Sequence, residues 1–475
     1  MKPIRNFRQT SPHTRHPLNA RDWTNFAHTI LNVKSAFLTS LSFIAAASLT
    51  PYSVGQTPIR AVPVADFLNT IGANSAISRR GETLRQTTAA VKYIGLGWIR
   101  AGYESDIPVS DLILLHNRTG VRFSYGLGSG GTNLQRLLAG GRQLASAHAL
   151  VAFEGPNEPN NWGVNYKGND GGGHASSWLA VAALQRDLYK AVKSDAVLKK
   201  YPVWDLSENG AEIDNVGLQF LTIPNGAHCS MPDGTRFADA ANVHNYIYHS
   251  NSPGLDDNKT WNAADPTPAC RVDGLYGEYG TTWLHHYAGY STRQLLTLPR
   301  VTTETGTTIG GVVTEEIQAL NLMSMYLDQF KRGFSHTSVY LLRDRSDEGG
   351  NQAFGFFTQD YTQRKAALYL HNLTTILSTG YAKSVPATLN YAIPDQPETV
   401  HDLLLQKKAG TLDLAVWDER VTGSDRIDVR FATPQYSVKV FDPTVGTDTV
   451  QVLTKVKSIH LTLSSHPMIL EITQR

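Results

Sequence analysis

The chain has 475 residues, 41% apolar and 18% charged, with a formal net charge of +2 and no long low-complexity tract. This composition excludes a disordered chain, and the length calls for two or three domains or for one large barrel with an accessory domain. No basic run interleaved with aromatics is present, so nucleic acid is not expected as a partner.

Residues 1–55 differ from the rest. Lys2, Arg5, Arg8, Arg15, Arg21 and Lys34 face the single acid Asp22, and "AFLTSLSFIAAASL" from Ala36 to Leu49 carries no charge. A basic segment before about 14 apolar residues is short for a membrane span and matches a secretory signal peptide. Ser53 and Gly55 are small residues suited to a cleavage site. Losing six of the 43 basic and one of the 41 acidic side chains turns the charge balance slightly negative. The expectation is a secreted or periplasmic protein with no stable membrane insertion after cleavage.

From residue 60 to about 380, apolar strands alternate with amphipathic helices. The strands are "VADFLNTIG" (64–72), "GWIRAG" (97–102), "VRFSYGLG" (121–128), "ALVAFEG" (149–155), "YPVWDLS" (201–207), "ANVHNYIY" (241–248), "RVTTETG" (300–306) and "TSVYLLRD" (337–344). Segments such as "GETLRQTTAAVKYIG" and "TEEIQALNLMSMYLDQFKRG" place apolar residues at three- and four-residue steps, the helical period. Eight strands each followed by a helix predict an α/β fold, a (β/α)8 TIM barrel. A doubly wound open sheet is the runner-up, but no Gly-rich phosphate loop follows the first strand. From about 385 to 475, short alternating runs such as "DLLLQKKAGTLDLAVWDE" and "YSVKVFDP" predict a small antiparallel β-sandwich, read first as a packing partner of the barrel.

In such a barrel the strand C-termini converge on the active site. Glu158 follows strand 4 in "FEGPNEPNNWG" and Glu304 ends strand 7 in "RVTTETG". Two facing carboxyls are the equipment of glycosidic bond cleavage. Glu154, Glu208, Glu278, Glu315 and Glu316 compete by residue type alone.

The "NEP" after strand 4, the "TETG" ending strand 7 and the "HNY" on strand 6 resemble the clan A glycoside hydrolases, most closely families 39 and 5, with a trailing β-sandwich as in family 39. The resemblance implies a retaining glycosidase acting on a β-linked poly- or oligosaccharide, with Glu158 as acid/base and Glu304 as nucleophile. It implies sugar-binding or supporting roles for Asn157, Arg100, His244 and Tyr246, and neither cofactor nor metal. His244 and Tyr246 alternate on strand 6 and so face one side. The rival reading is a non-catalytic carbohydrate-binding or scaffold protein on the same barrel.

Trp162, Trp261, Tyr276 and Tyr279 are candidate stacking platforms for sugar faces. The segment 249–280 is too long for a plain connection and reads as a lid or ordered insertion. Where many clan members carry a tryptophan, strand 8 ends in "YLLRDRSDEGGN". Arg343 or Arg345 there can clamp a carboxylated sugar, or the loop can be tied to itself by ion pairs. Cys229 and Cys270 are the only cysteines; they form a disulfide in an oxidising compartment or remain two free thiols, and their spacing matches no zinc site.

Overall fold

The computed structural model describes residues 58–102, 106–173, 175, 177–208, 218, 220–227, 229–247, 258–267, 270 and 290–474. The candidate signal peptide, Tyr276, Tyr279, Glu278 and most of the segment 249–280 lie outside the described residues.

Eight parallel strands form one sheet: β1 (Ile71–Asn74), β2 (Trp98–Ala101), β3 (Arg122–Leu127), β4 (Leu150–Pro156), β5 (Val203–Trp204), β6 (Ala241–His244), β7 (Arg300–Thr305) and β8 (Phe334–Val339). Their spatial order is β6-β7-β8-β1-β2-β3-β4-β5, and a parallel bridge between Trp204 and Ala240 joins the two ends. Asp205 N donates to Ala240 O at 3.0 Å and Asp239 N to Val203 O at 2.7 Å across that seam. The result is the expected barrel.

Two details differ from the pattern read in the sequence. Residues 64–68 form the helix α1 (Val64–Leu68), which buries Val64 and Phe67, and the first strand begins only at Ile71. The "VADFL" segment fits a strand's apolar content as well as a helix's three-residue spacing, and burial of Val64 and Phe67 in the barrel core selects the helical turn. Between β5 and β6 there is no helix among the described residues, and between β6 and β7 only the short α6 (Thr260–Ala263) and α7 (Thr292–Thr297) appear.

The remaining barrel helices follow their sequence signals. These are α2 (Leu84–Ile94), α3 (Val109–Thr119), α4 (Leu134–Ser146), α5 (Leu179–Ser194), α8 (Glu315–Lys331) and α9 (Lys365–Ser378). In α2, Thr83 caps the first turn by accepting from Gln86 N, Gly95 ends it at φ 79°, and Thr87, Ala90, Val91 and Ile94 form the buried stripe. The barrel interior is apolar at the strand N-termini, where the Trp98 ring lies 5.4 Å from Trp204 and 5.3 Å from His336. A Cβ at position 72 would lie 2.4 Å from the Trp98 ring, which is why glycine stands there. One inward layer further up, the filling becomes polar: Arg100, Glu154, Asn242 and Thr303 are all buried.

The C-terminal strands β9 (Val400–Lys408), β10 (Thr411–Asp418), β11 (Asp425–Phe441), β12 (Thr449–Leu463) and β13 (Met468–Thr473) pair antiparallel. The register of the β11–β12 hairpin shifts between Arg430 and Gln435. Before that shift β11 pairs with Tyr391–Ala392, and after it with β13. The sheet thereby folds over itself, and Leu404, Leu412, Leu414 and Val416 share a core with Ile427, Val429, Ile459 and Leu461. The alternate residues Leu403, Leu405, Ala415 and Trp417 belong to the barrel's core cluster. All eight residues of β10 are buried as a consequence. α8 lies against this sheet, where its Asp328 Oδ1 accepts from Trp417 Nε1 at 2.8 Å.

Candidate active site

The barrel mouth gathers its groups from five strands. Arg100, at the end of β2, is 1% exposed and extends its guanidinium fork across the barrel. Its Nη2 donates to Glu154 Oε1 at 2.6 Å and to Asn157 Oδ1 at 2.7 Å, and its Nη1 pairs with Glu304 Oε1. The fixed planar fork suits a fully desolvated pairing with two carboxylates.

Glu158 stands just beyond β4. Its carbonyl accepts from Asn161 N at 2.9 Å and Trp162 N at 2.8 Å, forming a turn that begins on Glu158 itself. The backbone there is left-handed at φ 38°, a conformation that costs a non-glycine residue roughly 1–3 kcal/mol and recurs at functional sites. The stiff Pro and Asn neighbours hold it. Asn161 Nδ2 donates to Glu158 Oε2 at 3.0 Å, while Glu158 Oε1 lies 2.8 Å from His244 Nδ1.

Glu304 on β7 accepts from Tyr246 Oη at 2.8 Å through its Oε2, the same oxygen that lies 3.5 Å from His244 Nδ1. His244 thus stands between the two glutamates, and one oxygen of each, with an imidazole nitrogen, lies within 4.8 Å of the others. His244 and Tyr246 reach the same side, as their alternation requires.

Burial governs the electrostatics. Desolvation pushes the Glu158 carboxyl above the usual range, opposed by the Asn161 hydrogen bond and the more distant Arg100 charge. Glu304 is also pushed up by burial, but Arg100 and the Tyr246 hydroxyl favour its ionised form, as would a protonated His244, while Glu158 opposes it. Burial lowers His244 to about 4, so its imidazole is neutral near pH 7. The Tyr246 phenol is raised well above its ordinary value by burial and the two facing carboxyls. Both glutamates shift in the same direction, yet among the described residues the direct cation, Arg100, and the phenolic donor, Tyr246, sit on Glu304. The direct charge and the phenolic hydrogen bond thus favour an anion at Glu304 over one at Glu158.

Among the described residues, two clusters of carboxylates and histidine are close enough to share an ion, namely Glu158, His244 and Glu304 at the mouth, and Asp328, His401 and Glu419 beneath the C-terminal sheet. In the first, the Arg100 guanidinium already occupies Glu304 and opposes a second cation. In the second, the oxygens are used by Trp417 Nε1, Thr260 Oγ1, the Trp261 amide and His401 Nε2. Both are hydrogen-bonded networks in form.

Several residues of the site carry no strong sequence signal. Glu154 is 1% exposed between Arg100 and Thr303 Oγ1, the latter at 2.9 Å; a charge in the apolar run "ALVAFEG" was the available hint that a buried partner existed. Asn161, Asn242, Thr303 and Tyr340 are others. Tyr340 directly follows β8 and packs edge-on to Tyr246 and Phe354, at 6.4 and 5.6 Å between ring centroids. An aromatic wall therefore stands where the sequence offered only a charged loop.

That loop is tied to itself. Arg345 pairs with Asp347 at 2.6 Å and Glu348 at 3.0 Å, Asp344 pairs with Arg364, and Arg343 donates to the carbonyls of Gln359 and Arg80 at 2.5 and 3.2 Å. Trp162 is 54% exposed in the turn after Glu158, which suits a platform at the rim. Trp261 is not at the mouth: it stacks on His401 at 4.1 Å with the Arg332 guanidinium 4.0 Å from its ring. Arg332 lies two residues before β8, so Trp261 belongs to the opposite end of the barrel and its junction with the C-terminal sheet. The disulfide is likewise not formed. The Cys229 thiol is directed at the Met231 carbonyl at 3.3 Å, and Cys270 is buried with no disulfide to it.

No family model matches the sequence, and no curated protein matches it by sequence. Solved structures do match in fold. A family 39 glycoside hydrolase from the gut symbiont Bacteroides cellulosilyticus WH2 superposes with a TM-score of 0.53 at 14% identity, covering 87% of this chain and 82% of its own. The chain carries the fold of the clan A glycoside hydrolases. CelM2, a bifunctional glucanase-xylanase from a metagenome library, matches with a TM-score of 0.51 at 10% identity over 89% of this chain and 98% of its own. The GH51 arabinofuranosidase from Xanthomonas axonopodis pv. citri gives 0.51 at 12% identity over the same shares.

Proposed function

We propose that the protein is an exported retaining glycoside hydrolase that cleaves β-linked bonds in a poly- or oligosaccharide by double displacement. The observation that carries this reading is the convergence of Glu158 and Glu304 across His244 within 4.8 Å. Carboxyls about 5–5.5 Å apart leave no room for a water between nucleophile and sugar, whereas inverting pairs stand about 6.5–9.5 Å apart.

In the first step Glu304, kept anionic by Arg100 and Tyr246, attacks the anomeric carbon. The glycosidic C–O bond breaks and Glu158 gives its proton to the leaving oxygen. In the second, Glu158 takes a proton from water as the water oxygen attacks the same carbon, and Glu304 departs from the ester. Arg100 fits Glu304 for the task of nucleophile, because its charge lies in direct contact with that carboxylate. Asn157, fixed between Arg100 and Ser129 Oγ at 3.1 Å, is placed to meet a sugar hydroxyl beside Glu304, and Trp162 to stack on a sugar face.

The test is turnover of the purified mature protein on aryl glycosides and on β-glucans and xylans, with proton NMR of the first-formed product. Retained anomeric configuration supports the reading, and an inverted product overturns it. Binding without turnover would instead favour the carbohydrate-binding scaffold. Export is tested by mass spectrometry of secreted material, where a chain starting near Gln56 is the expected result and recovery of the intact N-terminus overturns it.

A further inference from the structure

Thr303 immediately precedes Glu304 on β7, and its side chain faces the barrel interior rather than the mouth. Its Oγ1 meets three partners: Glu154 Oε1 at 2.9 Å, His244 Nε2 at 3.1 Å and the Asn242 amide, whose Nδ2 lies at 3.0 Å and Oδ1 at 3.1 Å. A hydroxyl has one hydrogen to give and lone pairs to receive. Glu154 offers a carboxylate oxygen, the strongest acceptor in reach, so the Thr303 hydrogen goes there. The Thr303 oxygen then accepts from His244, which requires the hydrogen of the neutral imidazole on Nε2. Nδ1 is left with a bare lone pair aimed at Glu158 Oε1, 2.8 Å away. Two lone pairs at that distance repel, whereas a protonated Glu158 donates to Nδ1 along the same line.

From this chain, and resting on the glycosidase reading above, we propose that Thr303 is a positioning residue: anchored by Glu154, it selects the Nε2–H tautomer of His244 and so holds Glu158 in its acid form until the leaving oxygen takes the proton. The titratable and charged groups that face this chain are Arg100 from β2, Glu154 from β4, His244 and Tyr246 from β6 and its extension, and Glu304 from β7. Of these, only His244 touches both Glu158 and Thr303. In the opposite tautomer Nδ1–H would donate to a Glu158 carboxylate, stabilise it, and make it a weaker acid catalyst. The direction in which burial already moves Glu158, upward, is the one this arrangement reinforces.

The experiment has one arm that needs neither activity nor a variant at Thr303. In ¹⁵N-histidine-labelled protein the His244 signals are assigned by their loss in His244→Asn, and the nitrogen shifts report which nitrogen carries the hydrogen. Nε2–H is expected near pH 7; Nδ1–H overturns the proposal whatever the protein's substrate proves to be. The second arm compares Thr303→Val and Thr303→Ser. Valine keeps the shape and removes the acceptor, so the alkaline limb of kcat/KM, which reports the group that must be protonated, should move down by about one pH unit. The acidic limb should stay, and serine should restore the wild-type profile. Equal displacement of both limbs, or the same profile for valine and serine, would show a merely structural threonine. Were no turnover found at all, the glycosidase reading would fail while the tautomer measurement still decides this one.

Discussion

Replacing Arg100 by methionine removes the charge on which the mouth is built while keeping most of the side-chain length. In the folded protein Glu154 would keep Thr303 Oγ1 at 2.9 Å and Asn242 Nδ2 at 3.5 Å, and Glu304 would keep Tyr246 at 2.8 Å. Neither would have a cation, and both are less than a tenth exposed. Breaking a buried ion pair by deleting one partner costs about 3–5 kcal/mol. The carboxyls can escape part of this by taking up a proton, at about 1.4 kcal/mol per pH unit. Glu304 is already raised by burial, so its contribution to stability is greatest when it is protonated and falls as pH rises through its folded value; deleting Arg100 exaggerates that fall. The loss relative to wild type should therefore be about 3–5 kcal/mol at pH 8 and visibly smaller at pH 5. Since a native chain has about 5–15 kcal/mol to lose, the variant should fold but unfold at lower urea. Urea denaturation of both proteins at pH 5 and pH 8 measures this directly. A loss below about 1 kcal/mol, or one independent of pH, would refute the assignment of Arg100 as the compensating charge.

Glu304→Gln should abolish turnover on every substrate, whereas Glu158→Ala should retain activity on aryl glycosides with good leaving groups, and azide should restore it with retained configuration; failure of azide rescue would count against Glu158 as acid/base. His244 is held at about 4 in the folded protein against an ordinary 6.5, so the unfolded chain takes up its proton first and stability declines as pH falls between those values. His244→Asn should flatten part of that decline in acid-side denaturation curves, and His336, also held at about 4 by burial, adds to it in the same direction. Trp417→Phe removes the indole donor to Asp328 and should cost about 1–3 kcal/mol, the penalty for leaving a buried acceptor without its partner; a calorimetric change under about 0.5 kcal/mol would show that this contact does not hold the sheet to α8.

The barrel itself was legible because its signals are local. Helical periods such as Thr87, Ala90, Val91 and Ile94 repeat at the spacing that puts residues on one face, and a strand run between turn residues leaves little choice of conformation. Local signals also misled where two periods fit. "VADFL" satisfies a strand's apolar content and a helix's spacing, and only the packing of Val64 and Phe67 against the barrel core resolves it. Trp261 looked like a platform because aromatic residues in a long loop suit sugars, but its place under His401 depends on how the C-terminal sheet docks.

The sequence by itself determined the strand count, the change to antiparallel pairing near the C-terminus, and the placement of Glu158 and Glu304 at strand ends, because each follows from periodicity along the chain. Only the tertiary structure decided which groups surround those glutamates. Arg100 and Glu304 are 204 residues apart, and His244 and Glu158 are 86. Nothing local in the chain specifies that Glu154 anchors Arg100 or that Thr303 faces inward to His244. Those partnerships arise when barrel closure removes water from the mouth and every buried charge and lone pair must find its complement among the strands that happen to be opposite.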